Sequence, residues 1–324
     1  MARARVATLV AVILLVALAA LPFVADKFTV QFATRILIMA IFATSLNLLV
    51  GWTGLVSLGH AAFFGVAGYF LALYSPQYEA ANFWISLPLA MLVSGTFALA
   101  IGLLVLRTSG VFFIMVTLAF SQMLYFLFHD TAIAGGSDGM YINARPDASL
   151  LGWRPFDLEK FGQFHWVVLA LFTIVLVLSI RLRASLFGRV LDGIRVNEQR
   201  MRSLGFPTFR YKLACFMLAG MVAGLAGYLG ATQFGVVNPD MLGWHLSGAA
   251  LMMVLFGGMA TVGGPAIGAA ALLLLELGLQ SVPALGDLNA GKHWQLPLGI
   301  VIVAVALYLP RGILRDWWKV RRDG

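Results

Sequence analysis

The sequence predicts an all-α polytopic membrane protein of about ten transmembrane or re-entrant helices, with both termini cytoplasmic. Three observations carry this expectation. Of 324 residues, 61% are hydrophobic and 11% charged, whereas a soluble domain has roughly 45–50% and 25%. Apolar runs long enough to cross a ~30 Å hydrocarbon core recur along the chain. The basic residues behind the net charge of +8 are sorted to one side of those runs. No stretch is left over for a soluble domain, so residues 1–324 read as one transmembrane domain.

Taken in order, the first apolar run, 6–24, follows Arg3 and Arg5. It shares the layout of a signal peptide, with a basic start and an Ala17-Leu18-Ala19 cleavage site, but it is long for one and reads as a span. Further spans are expected at 31–50, 55–74, 83–106, 111–128, 164–182, 211–231, 246–260, 264–281 and 295–310. With the N-terminus inside, Arg107, the basic residues of 181–212 and those of the tail from Arg311 to Arg322 are cytoplasmic. Lys27, Arg145, Arg154, Lys160 and Lys292 fall outside. Residues 129–163 form the larger outer, periplasmic loop and residues 183–210 the larger inner loop.

The composition also excludes. No GxxxxGK[ST] stretch is present, so ATP and its Mg²⁺, if used, bind another chain and this one carries no cofactor. The single cysteine, Cys215, rules out a disulfide framework or a cysteine metal cluster. The basic balance is a topology signal with membrane lipid as its partner, and nothing suggests nucleic acid. No carboxylate falls near the midplane of a predicted span, which counts against a proton-driven carrier.

Two glycine patterns stand out. GVAGYFLA (65–72) aligns with GLAGYLGA (224–231), and Ala61, Gly65, Gly68 and Ala72 share their spacing with Gly220, Gly224, Gly227 and Ala231. Each set lies on one helical face, where small residues let backbones approach. Ancestry and coincidence both explain so short a repeat. Gly257-Gly258 and Gly263-Gly264-Pro265 interrupt the apolar stretch 246–281, which as one helix would be ~54 Å long. The break predicts two short spans or a re-entrant pair, a common feature of transporters.

The segment 51–70, GWTGLVSLGHAAFFGVAGYF, is loose for a span. Gly51 and Gly54 bracket a tight turn, Ser57 is placed to cap the following helix, and His60 falls in the first turn with Phe63 and Phe64 beside it. His60 reads either as a polar group facing a substrate path or as a neutral histidine bonding a neighbouring helix; it has no second metal ligand at a usable spacing. In the inner loop, Phe187, Val190, Leu191, Ile194, Met201 and Leu204 recur at helical spacing, with Arg189, Asp192, Arg195 and Arg202 mainly opposite. Glu198 and Arg202 are an i, i+4 pair in the favourable order. An amphipathic helix on lipid and a helix offered to a partner's groove both fit. Arg35 and Glu276, near the outer ends of their spans, are candidates for an interhelical ion pair. GGSDG (135–139) matches the GxSxG elbow formally, but no strand-turn-helix context surrounds Ser137. A flexible outer loop with a gating or docking role is the better reading.

The segments LNLLVGWTGLVSLGHAAFFGVAGYF (46–70), LRTSGVFFIMVTLAFSQM (106–123), AGGSDGM (134–140), SLFGRVLDGIRVNEQRMRSLGF (185–206), VLFGGMATVGGPAIGAAAL (254–272) and LPRGI (309–313) carry a resemblance. In that order they resemble the permeases of branched-chain amino acid ABC importers, specifically the LivM-type subunit. The resemblance implies a permease subunit of a bacterial inner-membrane importer with no catalytic residues of its own. Its partners would be a second, LivH-type permease, two ATPase subunits and a periplasmic binding protein that carries most of the specificity. It implies that Gly188, Arg189, Asp192, Arg195, Glu198, Arg202 and Gly205 belong to an ATPase-coupling segment. Within the matched segments, polarity nominates Asn47, Ser57, His60, Thr117 and Ser121, with Phe64 beside them, for the translocation path. Gln122 and Tyr125 stand where related permeases often carry a charge, and similar subunits also move urea, amides, other amino acids and aromatic acids. A self-sufficient channel or secondary carrier for a small polar solute is the alternative; an intramembrane hydrolase using Ser137 or His60 is a more distant one.

Overall fold

The computed structural model describes residues 2–76, 79–149, 153–281, 294–308 and 312–313. Lys292, Arg311, the basic tail from Arg315 onward and the first three residues of LPRGI lie outside the described residues. Among those described, the chain is almost wholly helical: α1 (Ala2–Val24), α2 (Lys27–Thr53), α3 (Ala61–Tyr74), α4 (Phe83–Val105), α5 (Val111–Asp130), α6 (Phe161–Ala184), α7 (Leu186–Val196), α8 (Glu198–Ser203), α9 (Thr208–Phe234), α10 (Trp244–Gly257), α11 (Gly264–Gln280) and α12 (Gln295–Tyr308). The helices α2, α4, α5, α6 and α9 are long and apolar enough to cross a membrane. Shorter apolar helices are Val10–Val24 within α1, α3, α10, α11 and Gln295–Val305 within α12. The protein is a multi-pass helical membrane protein.

The core is built on α2 and α9. Nearly every residue of α2 from Leu37 to Thr53 is buried, as expected of a helix that is apolar on all sides. The two glycine stripes explain how α9 reaches the centre, because they pack against each other. A Cβ on Gly68 would touch that of Ala231 at 3.5 Å, and one on Gly227 would fall onto the Phe64 carbonyl. The contact is reinforced from α4. Ser94 Oγ donates to the carbonyls of both Phe63 and Gly220, at 2.9 Å each, and the Ser86 and Tyr228 hydroxyls lie 2.7 Å apart. Such interhelical bonds contribute roughly 0.6 kcal/mol apiece.

Several expectations are corrected. The helix expected from residue 55 begins at Ala61. Gly54, at φ 76°, ends α2, and 54–60 runs without helical structure. Ser57 is not its cap: its Oγ accepts the Gly59 N–H at 3.3 Å, while the Ala61 N–H donates to Ser247 Oγ of α10 at 2.8 Å. Ser57, Gly59 and His60 are buried, as irregular backbone at membrane depth must be.

The connection after α9 also departs from expectation. Residues 235–243, between the spans expected at 211–231 and 246–260, fold back along α3 and α5. Val236–Val237 (β2) pairs antiparallel with Met140–Tyr141 (β1), and a 3₁₀ turn, Pro239–Leu242, follows. Leu242 packs where Gly65 has no side chain, and its carbonyl accepts a bond from Ser121 Oγ at 2.6 Å. Asp240 is thereby carried down beside α5.

The glycine break after α10 is present as expected. Gly258 (φ 108°) and Ala260 (φ 65°) turn the chain back, and α11 starts at Gly264 with Pro265 in its first turn. At 14 and 17 residues, α10 and α11 are about 21 and 25 Å long, each short of a full crossing. They form a tight pair, because a Cβ on Gly268 would strike the Met253 carbonyl.

The outer loop is pinned rather than flexible over its described residues. Phe83 N–H donates to the Asp147 carbonyl and Asp147 N–H to the Ala81 carbonyl, both at 2.8 Å. Arg145 Nη1 donates to the Leu158 carbonyl at 2.9 Å, and its guanidinium lies 5.0 Å from the Phe161 ring. The proposed Arg35–Glu276 ion pair is not formed: Arg35 is exposed on α2, and Glu276 is half-buried on α11 without it. The helices α2 and α11 pack together, but Arg35 faces away from that contact, so the pair does not meet.

Candidate functional site

The inner loop folds as a corner followed by two short helices. Gly188 makes the corner possible, because a Cβ there would meet the carbonyls of Leu182 and Arg183 at the end of α6. Ser185 caps α7, accepting the Gly188 N–H at 3.4 Å. Asn197 interrupts what was expected as one continuous helix, and its side chain caps α8 by accepting the Arg200 N–H at 2.9 Å. Gly205, at φ 86°, follows α8.

One face of α7 is buried through Gly188, Val190, Leu191 and Ile194. The other face, with α8, opens into a groove of about 660 Å³ whose lining includes Arg189, Asp192, Arg195, Arg200, Met201 and Leu204. Val196 and Leu204 are large apolar residues that stand 86% and 65% exposed among these arginines.

Two polar ties hold this element on the central helices. Arg195 Nη1 donates to the Gly51 carbonyl in the last turn of α2. Glu198 accepts from Arg202 Nη2 at 2.7 Å, from Lys212 Nζ at 2.8 Å and from Thr208 Oγ1 at 3.1 Å. Partial burial pushes the Glu198 carboxyl up, but the bonds from Lys212 and Arg202, the Lys212 charge and the Thr208 bond outweigh it and hold it below its ordinary value. The Glu198–Arg202 pairing is the one its i, i+4 spacing predicts. Lys212 was missed, although Thr208 and Lys212 at i, i+4 on the start of α9 carry the signal.

The residues nominated for a path, Asn47 apart, lie in one buried seam. His60 Nε2 is 2.8 Å from Ser45 Oγ on α2, and its ring lies 5.5 Å from Phe42 and 5.6 Å from Phe63. Its Nδ1 has no hydrogen-bond partner. Phe64 packs edge-on to Phe42 at 5.0 Å. Thr117 bonds its own helix at the Ile114 carbonyl, and its carbonyl abuts Gly59. Asn47 spans the α10–α11 break, donating to the Thr261 carbonyl at 2.8 Å and accepting the Ala260 N–H at 3.1 Å. The seam joins Ser57, His60 and Thr117 across the start of α3 and continues to Ser121 at Leu242, while Asn47 sits apart at the break.

Comparison with known proteins identifies the family. Residues 28–306 match the family described as the permease component of the branched-chain amino acid transport system. The chain belongs to this permease family. It is similar to the high-affinity branched-chain amino acid transport system permease protein LivM of Salmonella typhimurium, at 32% identity over 93% of this chain and 73% of that protein. The LivM of Escherichia coli is likewise 32% identical, over 94% of this chain and 74% of its own length. The autoinducer 2 import system permease LsrC of Yersinia enterocolitica is 27% identical over 47% of this chain and 41% of its own. No solved structure matches. Membership makes the chain a LivM-type permease, a transport subunit within the ABC transporter permeases. It also covers the groove, the ties of α7 and α8 and the seam, all of which fall within the matched residues.

Proposed function

We propose that this chain is the membrane-spanning permease subunit of an importer for branched-chain or related amino acids, working by alternating access driven by a partner ATPase. In this reading it crosses a bacterial inner membrane about ten times with both termini cytoplasmic. It pairs with a second, LivH-type permease and with two ATPase subunits that hold ATP and Mg²⁺, and it receives substrate from a periplasmic binding protein.

The observation that carries the reading is the double tie of the α7–α8 element. A helix that merely rested on lipid would need no polar grip on the core. Here Arg195 holds the end of α2 and Glu198 the start of α9, while the groove with Arg189 and Asp192 stays open on the other side. A partner seated in that groove would pull on both central helices together. Ser57, His60, Phe64, Thr117 and Ser121 then belong to the closed seam that such a pull would part, with Asn47 at the α10–α11 break beside it. The amino-acid substrate class comes from the names of the LivM relatives.

Affinity purification of the tagged chain from native membranes in mild detergent, followed by mass spectrometry, tests this reading. An ATPase and a second, different permease are expected in the eluate. Recovery of this chain alone, under conditions that keep other ABC complexes intact, would favour a self-sufficient channel or carrier.

A further inference from the structure

The helix α5 buries only Phe113, Thr117 and Ser121, so most of its surface is uncovered. One part of that surface, with Phe112, Met115, Met123 and Phe126, is exposed and apolar, as lipid requires. The flank toward the 3₁₀ turn is different. Gln122, Tyr125 and His129 follow one another at i, i+3 and i+7, and all three are part-exposed. Tyr125 stacks on His129 with ring centroids 5.5 Å apart, and it lies one turn from Ser121, which bonds the Leu242 carbonyl.

That bond also sets a depth. Ser121 is near the middle of the 20-residue α5, about 14 Å from either end. Leu242 therefore lies level with the middle of α5, and close to it in sequence Asp240, two residues before, and His245, three after, are exposed. On α3, Leu242 packs against Gly65, and one turn on, Tyr69, a side chain 1% exposed whose hydroxyl has no hydrogen-bond partner, stacks on Phe128 of α5 with centroids 4.3 Å apart. The 3₁₀ turn and the flank of α5 thus face a common region. An exposed carboxylate and imidazole at this depth are costly against hydrocarbon, and such groups face water or protein instead.

We propose that Gln122, Tyr125 and His129 of α5, with Asp240 and His245, line a water-filled passage reaching mid-membrane, and that the Asp240 carboxylate favours solutes carrying a protonated amine. The proposal rests on the permease reading, but its test measures water access and charge without a transport assay, so the two can fail separately.

The test is thiol labelling of the complex in right-side-out vesicles. Cys215 is the only cysteine and is buried, so Cys215→Ser gives a silent background. Gln122→Cys and His245→Cys are treated with cationic and anionic methanethiosulfonates, and Met123→Cys serves as the lipid-facing control. Both test positions are expected to react at least ~10-fold faster than the control, since thiolate forms and reacts in water and not in hydrocarbon. At Gln122→Cys the preference for the cationic reagent should fall about threefold with Asp240→Asn, the order of effect expected when one unit charge is lost near a thiol in water. Asp240→Glu should retain the preference. Labelling no faster than at Met123→Cys, or a charge preference indifferent to Asp240→Asn, would overturn the proposal.

Discussion

Lys212, buried near the start of α9, places its ammonium 2.8 Å from the carboxylate of Glu198 on α8. The side chain of Lys212 is only 8% exposed, and among the described residues Glu198 is its ion-pair partner. Glu198→Ala would leave a buried cation uncompensated. Breaking a buried pair costs roughly 3–5 kcal/mol, and solvent at the Glu198 side lowers this to about 2 kcal/mol. The expected result is a lower thermal midpoint in detergent for Glu198→Ala, with partial recovery in Glu198→Ala combined with Lys212→Met. Absence of recovery would mean that the carboxylate acts mainly on Arg202.

The same clasp has a pH dependence of defined sign. The Glu198 carboxyl titrates below its ordinary value of 4.5, so its contribution is fully present above that value. It is lost as pH falls further, through the folded-state value. An environment-sensitive dye on Leu204→Cys, in the Cys215→Ser background, should hold a constant signal from neutral pH down to about 5 and change only in stronger acid. Glu198→Gln should remove that acid transition. A transition centred above pH 5 would assign the change to another group.

The helix contact between α3 and α9 predicts a sharp contrast among glycines. A Cβ at Gly227 would fall on the Phe64 carbonyl, whereas Gly248 and Gly278 have nothing within 4 Å. Gly227→Ala must push two packed backbones apart and is expected to cost about 3 kcal/mol or more. Gly248→Ala and Gly278→Ala should leave the thermal midpoint within about 0.5 kcal/mol of the parent. Equal effects at the three positions would remove the packing role assigned to the stripe.

What could be read in advance was what is local in sequence. The Gly-Pro break between α10 and α11, the amphipathic α7 and the Glu198–Arg202 pair all depend on residues within a turn or two of one another. The misses are long-range. Ser57 is a reasonable cap by spacing, but the helix starts only at Ala61, whose N–H is met by Ser247, 186 positions away. The descent of 235–243 beside α5 depends on Leu242 meeting Gly65 and Ser121, which no local pattern encodes. Asp240 therefore carries no signal in the sequence for its place beside α5. His60 bonds Ser45 on the neighbouring helix, as one of its two readings had it, and its unpartnered Nδ1 has no local signature.

Asn47 holds the α10–α11 break with both ends of its amide. Asn47→Leu would strand the Ala260 N–H and the Thr261 carbonyl, each worth about 1–3 kcal/mol when left unsatisfied in a buried place. Ala260 itself is at φ 65°, a conformation that glycine adopts freely. Ala260→Gly is therefore expected to be neutral or stabilising by up to about 1 kcal/mol, while Asn47→Leu lowers the thermal midpoint markedly. A destabilising Ala260→Gly would show that the alanine methyl packs in a way that outweighs its backbone strain.

Arg195 is where the proposed drive would enter the bundle. Its guanidinium reaches the Gly51 carbonyl, and a Cβ on Gly51 would crowd Asn47 Oδ1 and the Ala260 backbone, so the last turn of α2 sits directly against the α10–α11 break. A pull on α7 through Arg195 would then be felt at the break through Gly51 and Asn47. Arg195→Ala cuts that route while leaving the buried face of α7 and the Glu198 clasp intact. In the reconstituted transporter, ATP hydrolysis should persist while uptake per ATP falls about tenfold, as expected for a coupling residue worth roughly 1–2 kcal/mol. Arg195→Lys, which keeps a donor to one carbonyl, should recover much of it. If hydrolysis and uptake fall together and in proportion, Arg195 serves assembly with the ATPase, and the force must reach α2 by the apolar face of α7 instead.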